Sequence, residues 1–244
     1  MQTINCNQLL PVQGAANLRD LGGYPCTDGR YTKKNSFFRS DDTSRLTETD
    51  ITLLKNLGLS LIVDLRSSGE TDEKPSVFKN DSDMNYQHVS MLDNINSATA
   101  KDTLPSSMYD LYIHLLSDSK DAFAKVFRLF SNKQGACLFN CAIGKDRTGM
   151  TAMLLLDLCG VHDEVIISDY AQTEKNLASQ FALYLEAAAK KGITIPKELL
   201  SSSPETMKKT LLYLRKTYSS AREYLLNAGS TEQELHRVIE GFVE

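Results

Sequence analysis

An α/β fold with a mostly parallel central sheet flanked by helices is what this sequence predicts, and three observations lead to it. Short apolar runs near Ser36–Arg39, Leu59–Leu65, Tyr86–Val89 and Ala136–Asn140 read as buried strands. Segments with helical apolar spacing lie between them. After Gly149 the pattern is almost entirely helical, which gives the chain a helical C-terminal half.

The elements carry local punctuation. Leu46–Leu57 opens on a Thr47/Asp50 capping pattern and stops at Gly58. Ser107–Leu116 and Lys120–Phe130 follow with helical apolar spacing, and further helices are expected near Thr148–Cys159, Asp163–Leu177, Gln180–Lys190, Pro204–Asn227 and Thr231–Phe242. Pro204 suits a first helical turn, and Gly229 follows a stop. The stretch Lys191–Ser203 is the best linker candidate. It is short, so the expectation is one domain over residues 1–244.

Composition narrows the function classes. With 41% hydrophobic and 24% charged residues, the chain has the make-up of an ordinary globular protein. A net charge of −4 builds in no basic surface for nucleic acid or acidic membranes, so an anionic substrate needs a local positive site. The longest apolar candidate, Met150–Val161, is broken by Asp157 and is too short to span a bilayer. The N-terminus lacks a basic start followed by an apolar stretch, so the expected location is cytoplasmic, although a signal already removed would leave no trace. Five cysteines without a CxxC pair point to a reduced compartment, and four scattered histidines give no metal-ligand spacing. Neither a metal nor a cofactor is expected.

The segment ACLFNCAIGKDRTGM carries the chemistry. An apolar strand runs into a loop, Cys141–Arg147, and a helix starts near Thr148. In such a strand–loop–helix, loop N–H groups and a helix N-terminus converge on one anion. Cys141 then faces the phosphorus of a bound phosphate, while Arg147 takes two of its oxygens bidentately. Ala142, Ile143, Gly144, Lys145 and Thr148 complete the cradle: Gly144 frees the backbone, and the Thr148 hydroxyl is placed to hydrogen-bond the Cys141 sulfur. A free thiol is only a few per cent ionised at neutral pH, so the groups that bind phosphate must also favour thiolate.

At these residues the sequence resembles the protein tyrosine phosphatase superfamily, and within it the atypical bacterial branch. NLRDLGG at Asn17–Gly23, FFRSD at Phe37–Asp41, DLRSSGE at Asp64–Glu70, DYAQT at Asp169–Thr173 and SPETM at Ser203–Met207 match alongside CAIGKDRTG. The resemblance implies a tyrosine-phosphatase-like fold and a phosphocysteine intermediate, with Cys141 as nucleophile and Arg147 holding the transferring group. It implies Asp146 as general acid, because the Trp-Pro-Asp loop of conventional tyrosine phosphatases is missing from a chain without tryptophan. Asp93 is the alternative acid. Asn140 stands where the branch usually has histidine, and it can hydrogen-bond backbone near Cys141 but supplies no imidazolium charge. Asp20, Arg39, Asp41, Asp64 and Arg66 are candidates for a charged layer behind the loop, Asp20 and Arg66 foremost. By analogy, helices within residues 178–228 form a lid.

The expected substrates are phosphotyrosine proteins, with phosphoserine, phosphothreonine and phosphoinositides as extensions. Lys145 motivates the last of these, since it offers a charge beyond what one phosphate needs. An inositol-phosphate or phosphoinositide phosphatase with little protein activity, and a non-catalytic phosphate-binding module, are the alternatives. Arsenate reductases and rhodanese-like proteins share a cysteine-headed anion loop, but GKDRTG and the C-terminal helices argue against them.

Overall fold

The computed structural model describes residues 8–91, 107–190, 192, 194 and 200–244. Among these, five strands form one sheet: β1 (Arg19–Asp20), β2 (Phe37–Ser40), β3 (Leu59–Asp64), β4 (Asn85–His88) and β5 (Ala136–Asn140). Their order is β1-β2-β5-β3-β4; β2, β5, β3 and β4 run parallel, and β1 is antiparallel to β2. The strand latest in sequence is thus the central one. Every residue of β5 is buried, the setting in which an unbroken apolar run is stable.

The helices are α1 (Glu48–Asn56), α2 (Ser68–Glu73), α3 (Met108–Asp118), α4 (Lys120–Ser131), α5 (Asp146–Leu158), α6 (Asp163–Asn176), α7 (Ala178–Lys190), α8 (Pro204–Tyr218), α9 (Ala221–Asn227) and α10 (Glu232–Phe242). Strand alternation sorts side chains between two cores. Cys137, Phe139, Phe37, Leu61 and Val63 join the larger cluster with α3–α6 and α8–α10, whereas Leu138, Phe38 and Ile62 face a smaller one with Leu54 of α1. Helix α5 runs through the larger core, buried on all sides apart from Asp146 and Asp157. Asp157 is met by Arg215 at 2.6 Å and by the Ala221 N–H at 2.9 Å.

This is the α/β architecture expected from the strand and helix pattern. The Thr47/Asp50 capping box is present, and Asp50 also accepts from Gln13 and Gly14 N–H at 2.9 Å each. Helix α1 stops before Gly58, whose φ of +84° suits glycine. Three details differ. Helix α5 begins at Asp146, two residues earlier than the apolar pattern indicates. The single helix expected over Pro204–Asn227 is two, because Ser219 has φ +70° and Ser220 caps α9 by accepting from Glu223 N–H at 3.2 Å. Helix α2 is polar throughout and has no periodicity to read; its signal is the Ser67/Glu70 capping box. Among the described residues no helix is long and apolar enough to cross a membrane, and no cluster of three or more His, Cys, Asp or Glu is arranged to hold a metal.

Candidate active site

The central strand ends at Asn140, and the chain turns at once through Cys141–Lys145 into α5. This places the loop at the carboxyl edge of a parallel sheet, where open α/β folds bind ligands. The turn depends on Gly144, which has φ +70°; a Cβ there would stand 2.6 Å from the Ser40 carbonyl oxygen and 2.7 Å from Asp41 N. The Gly144 N–H donates to Cys141 Sγ at 3.3 Å. The sulfur thus faces an inward-pointing N–H at the head of a 13-residue helix whose first-turn N–H groups have no intrahelical acceptors.

Arg147 is oriented by Glu70 of α2. Its Nη1 and Nη2 donate to the two oxygens of Glu70 at 2.6 and 2.9 Å, and Nη1 also approaches the Leu65 carbonyl at 3.5 Å. That leaves Nε and the second Nη2 hydrogen, one edge of the guanidinium, for a bound oxyanion. Glu70 in turn accepts from Ser67 N–H at 2.7 Å. Burial works against a charged Glu70, yet the bonds from Arg147 and Ser67 outweigh it and hold the carboxyl at about 2.

Asp146, with 26% of its side chain exposed, opens α5. Its Oδ1 accepts from the Tyr112 hydroxyl at 2.8 Å, and that hydroxyl is 2.6 Å from the Tyr170 hydroxyl. Lys145 lies under the surface. Its side chain is 1% exposed, and Nζ donates to the Ser201 carbonyl at 3.2 Å and stands 3.5 Å from Asp146 Oδ1. The lysine expected to offer charge to a substrate therefore ties the loop to the segment before α8.

The loop rests on a buried polar layer in which Arg39, a candidate from the sequence, is joined by Asn17 and Asp169, which are not. Asn17 Nδ2 donates to the Ile143 and Gly144 carbonyls at 3.4 and 3.2 Å, and Arg39 Nη2 donates to the Gly144 carbonyl at 2.8 Å. Asp169 of α6 holds both cationic neighbours. It accepts from Arg19 Nε at 2.8 Å, from Arg39 Nη1, and from the Tyr24 hydroxyl at 3.2 Å. Burial opposes its charge, but Arg19 and Arg39 outweigh that and keep the carboxyl below the ordinary range.

The remaining expected residues are distributed more widely. Asp20 braces a turn by accepting from Gly22 and Asn35 N–H at 2.9 Å each. Arg66 binds Asp64 at 2.6 Å, Asp42 at 3.0 Å and the Lys74 carbonyl at 2.8 Å, so it anchors the end of α2. The Asn140 amide and the Thr148 hydroxyl are buried without hydrogen-bond partners, so neither makes the bond near Cys141 expected of it. Ala142 and Ile143 line a cleft of 750 Å³ whose walls include Asp41, Arg45 and Lys74 on one side and Phe181 and Leu183 of α7 on the other. Asp93 lies outside the described residues.

A tyrosine phosphatase family model matches residues 10–244, nearly the whole chain. The chain belongs to the tyrosine phosphatase family. It is 36% identical to a tyrosine-protein phosphatase of Nostoc commune over 149 residues, a match covering 60% of this chain and about half (51%) of that protein. It is 23% identical to the triple specificity protein phosphatase PtpB of Mycobacterium tuberculosis, with 92% of this chain and 95% of that protein covered. Among solved structures, TpbA of P. aeruginosa aligns with a TM-score of 0.36 at 12% identity, over 82% of this chain and 91% of that one. Within the family frame, Glu70 and Asn17 belong to the matched motifs DLRSSGE and NLRDLGG; spacing alone gives no sign that they meet the Cys141 loop.

Proposed function

We propose that the protein hydrolyses phosphomonoesters through a phosphocysteine intermediate, with phosphotyrosine in proteins as its first substrate class. The observation that carries this is the pairing of Cys141 Sγ, facing the Gly144 N–H, with an Arg147 whose Nε–Nη2 edge is turned free by Glu70. In this reading Cys141 forms an S–P bond as the P–O bond to the leaving group breaks. Arg147 and the loop N–H groups hold the equatorial oxygens, where charge accumulates in the transition state. Asp146 passes its proton to the leaving oxygen and then takes one from the water that cleaves the S–P bond. The cleft beside Ala142 and Ile143 receives the rest of the substrate, with α7 as the wall that the resemblance casts as a lid.

Phosphoserine, phosphothreonine and phosphoinositides extend the range through the similarity to PtpB, whose name carries triple specificity. The charge that sequence reading assigns to a second phosphate draws no support from Lys145, which is engaged with Ser201. The decisive experiment replaces Cys141 with serine and assays p-nitrophenyl phosphate with EDTA present. The expected result is complete loss of turnover with inorganic phosphate still bound, since the cradle is largely backbone N–H. A Cys141→Ser protein with more than trace turnover would remove the assignment.

A further inference from the structure

We propose that Tyr112 and Tyr170 form a two-hydroxyl relay that positions Asp146 and stabilises the carboxylate it becomes when its proton leaves. This rests on the reading of Asp146 as general acid. The geometry is directional. Tyr112 donates to Asp146 Oδ1 at 2.8 Å, and with its one proton so placed its oxygen must accept from Tyr170, 2.6 Å away. Both phenols come from outside the loop, Tyr112 from α3 and Tyr170 from α6, and both are buried.

Packing fixes the pair. The two rings meet edge to face at 6.0 Å with an interplanar angle of 89°. Tyr170 also lies against α5 at Gly149, where an added Cβ would stand 3.3 Å from its ring. Gly149 is three residues beyond Asp146 on the same helix, so the contact that seats Tyr170 lies on the face that presents the acid. The groups near this pair are Asp146 and Lys145 from the loop and helix start, and Arg39 and Glu174 around Tyr170. Burial and the neighbouring Asp146 push the Tyr112 phenol well above its ordinary value, so it stays a donor throughout the working pH range.

The chemistry follows from that fixed donor. As the substrate P–O bond breaks and the S–P bond forms, the Asp146 proton moves to the leaving oxygen and negative charge appears on the carboxyl. A hydrogen bond to a charged acceptor is stronger than one to a neutral acceptor, so the Tyr112 bond strengthens along the reaction coordinate. When water attacks the phosphocysteine, Asp146 takes its proton and the bond returns to its starting strength. Tyr112 and Tyr170 exchange no proton with substrate and are positioning residues.

The test compares phosphotyrosine peptide, whose leaving group needs protonation, with p-nitrophenyl phosphate, whose leaving group scarcely does. Tyr112→Phe is expected to lower kcat about tenfold on the peptide and less than about twofold on p-nitrophenyl phosphate. KM and inhibition by inorganic phosphate should not change. Tyr170→Phe should show a weaker loss with the same leaving-group pattern, and it serves as the readout if Tyr112→Phe does not fold. Added to Asp146→Asn, Tyr112→Phe should cost nothing more. The Asp146→Asn arm tests the acid on its own. If that variant shows leaving-group dependence while both tyrosine variants lose activity equally on the two substrates, or not at all, the phenols only fill the core and the relay is overturned. If Asp146→Asn lacks the dependence, the acid assignment fails and the relay falls with it.

Discussion

Glu70 and Arg147, 77 positions apart in sequence, meet through two hydrogen bonds of 2.6 and 2.9 Å, and the carboxylate that fixes the guanidinium also closes the capping box of α2. The orientation of Arg147 is therefore set by a six-residue helix far from it in sequence. Glu70→Gln keeps the shape and removes the charge. It is expected to lower kcat/KM on a phosphotyrosine peptide about tenfold to a hundredfold, as loss of a charge-assisted pair does. A change below about twofold would mean that Arg147 orients itself.

The same pair makes stability depend on pH. The Glu70 carboxyl sits at about 2 in the folded chain against an ordinary 4.5. A lowered carboxyl stabilises the fold above its unfolded value, and that contribution is lost as pH falls through the folded one. The difference in urea midpoint between the unmodified protein and Glu70→Gln should hold constant above about pH 5 and close between there and about pH 2. A gap that widened on acidification would contradict the pairing.

Asp169 is the counter-charge for two buried guanidiniums. Asp169→Asn leaves Arg19 and Arg39 without it inside the core, a change expected to destabilise by about 3–5 kcal/mol. Chemical denaturation reads this directly. A loss below about 1 kcal/mol would show that water replaces the carboxylate.

Gly144→Ala combines a positive φ with a Cβ 2.6 Å from the Ser40 carbonyl oxygen. The strain alone is worth about 1–3 kcal/mol, and relief requires the loop to move away from β2. Binding of inorganic phosphate, followed by calorimetry, should weaken at least tenfold. Unchanged affinity would mean that the cradle does not need this turn.

Lys145→Ala releases the tie to the Ser201 carbonyl. Because that tie belongs to the protein and not to a substrate, activity should fall by the same factor on phosphotyrosine peptide and on a short-chain phosphoinositide. A selective loss on the phosphoinositide would return Lys145 to the role its sequence position suggests.

What the sequence made legible was contiguous. Cys141, Gly144, Asp146 and Arg147 lie within seven residues, and a strand–loop–helix pattern assembles them without tertiary information. Thr47 and Asp50 were equally local. The supporting residues were not, because the topology brings them together. Arg39 was legible as a charge in a matched motif, but Asn17 and Asp169 gain their roles only from the tertiary contacts they make with the loop and with Arg39. Tyr112 carries no motif and Tyr170 lies in the matched DYAQT string without an assigned role; their hydroxyls acquire meaning from a partner on a third helix. Asp20 and Arg66 carry charge within matched motifs, and charge alone does not say which turn a carboxylate braces. Lys145 shows the converse error. In sequence a loop lysine offers its charge to a second phosphate, and here it is buried and engaged by the segment before α8.

The placement of β5 has a consequence for how the protein fails. Partial opening begins at frayed edges and weakly packed segments, and the innermost strand exchanges its amide protons only in the rarest excursions. Cys141 follows that strand directly, with parallel neighbours on both sides of it. The thiol is itself buried beside the most persistent part of the molecule, so its alkylation under native conditions should require local movement of the loop, with little contribution from breathing of the sheet.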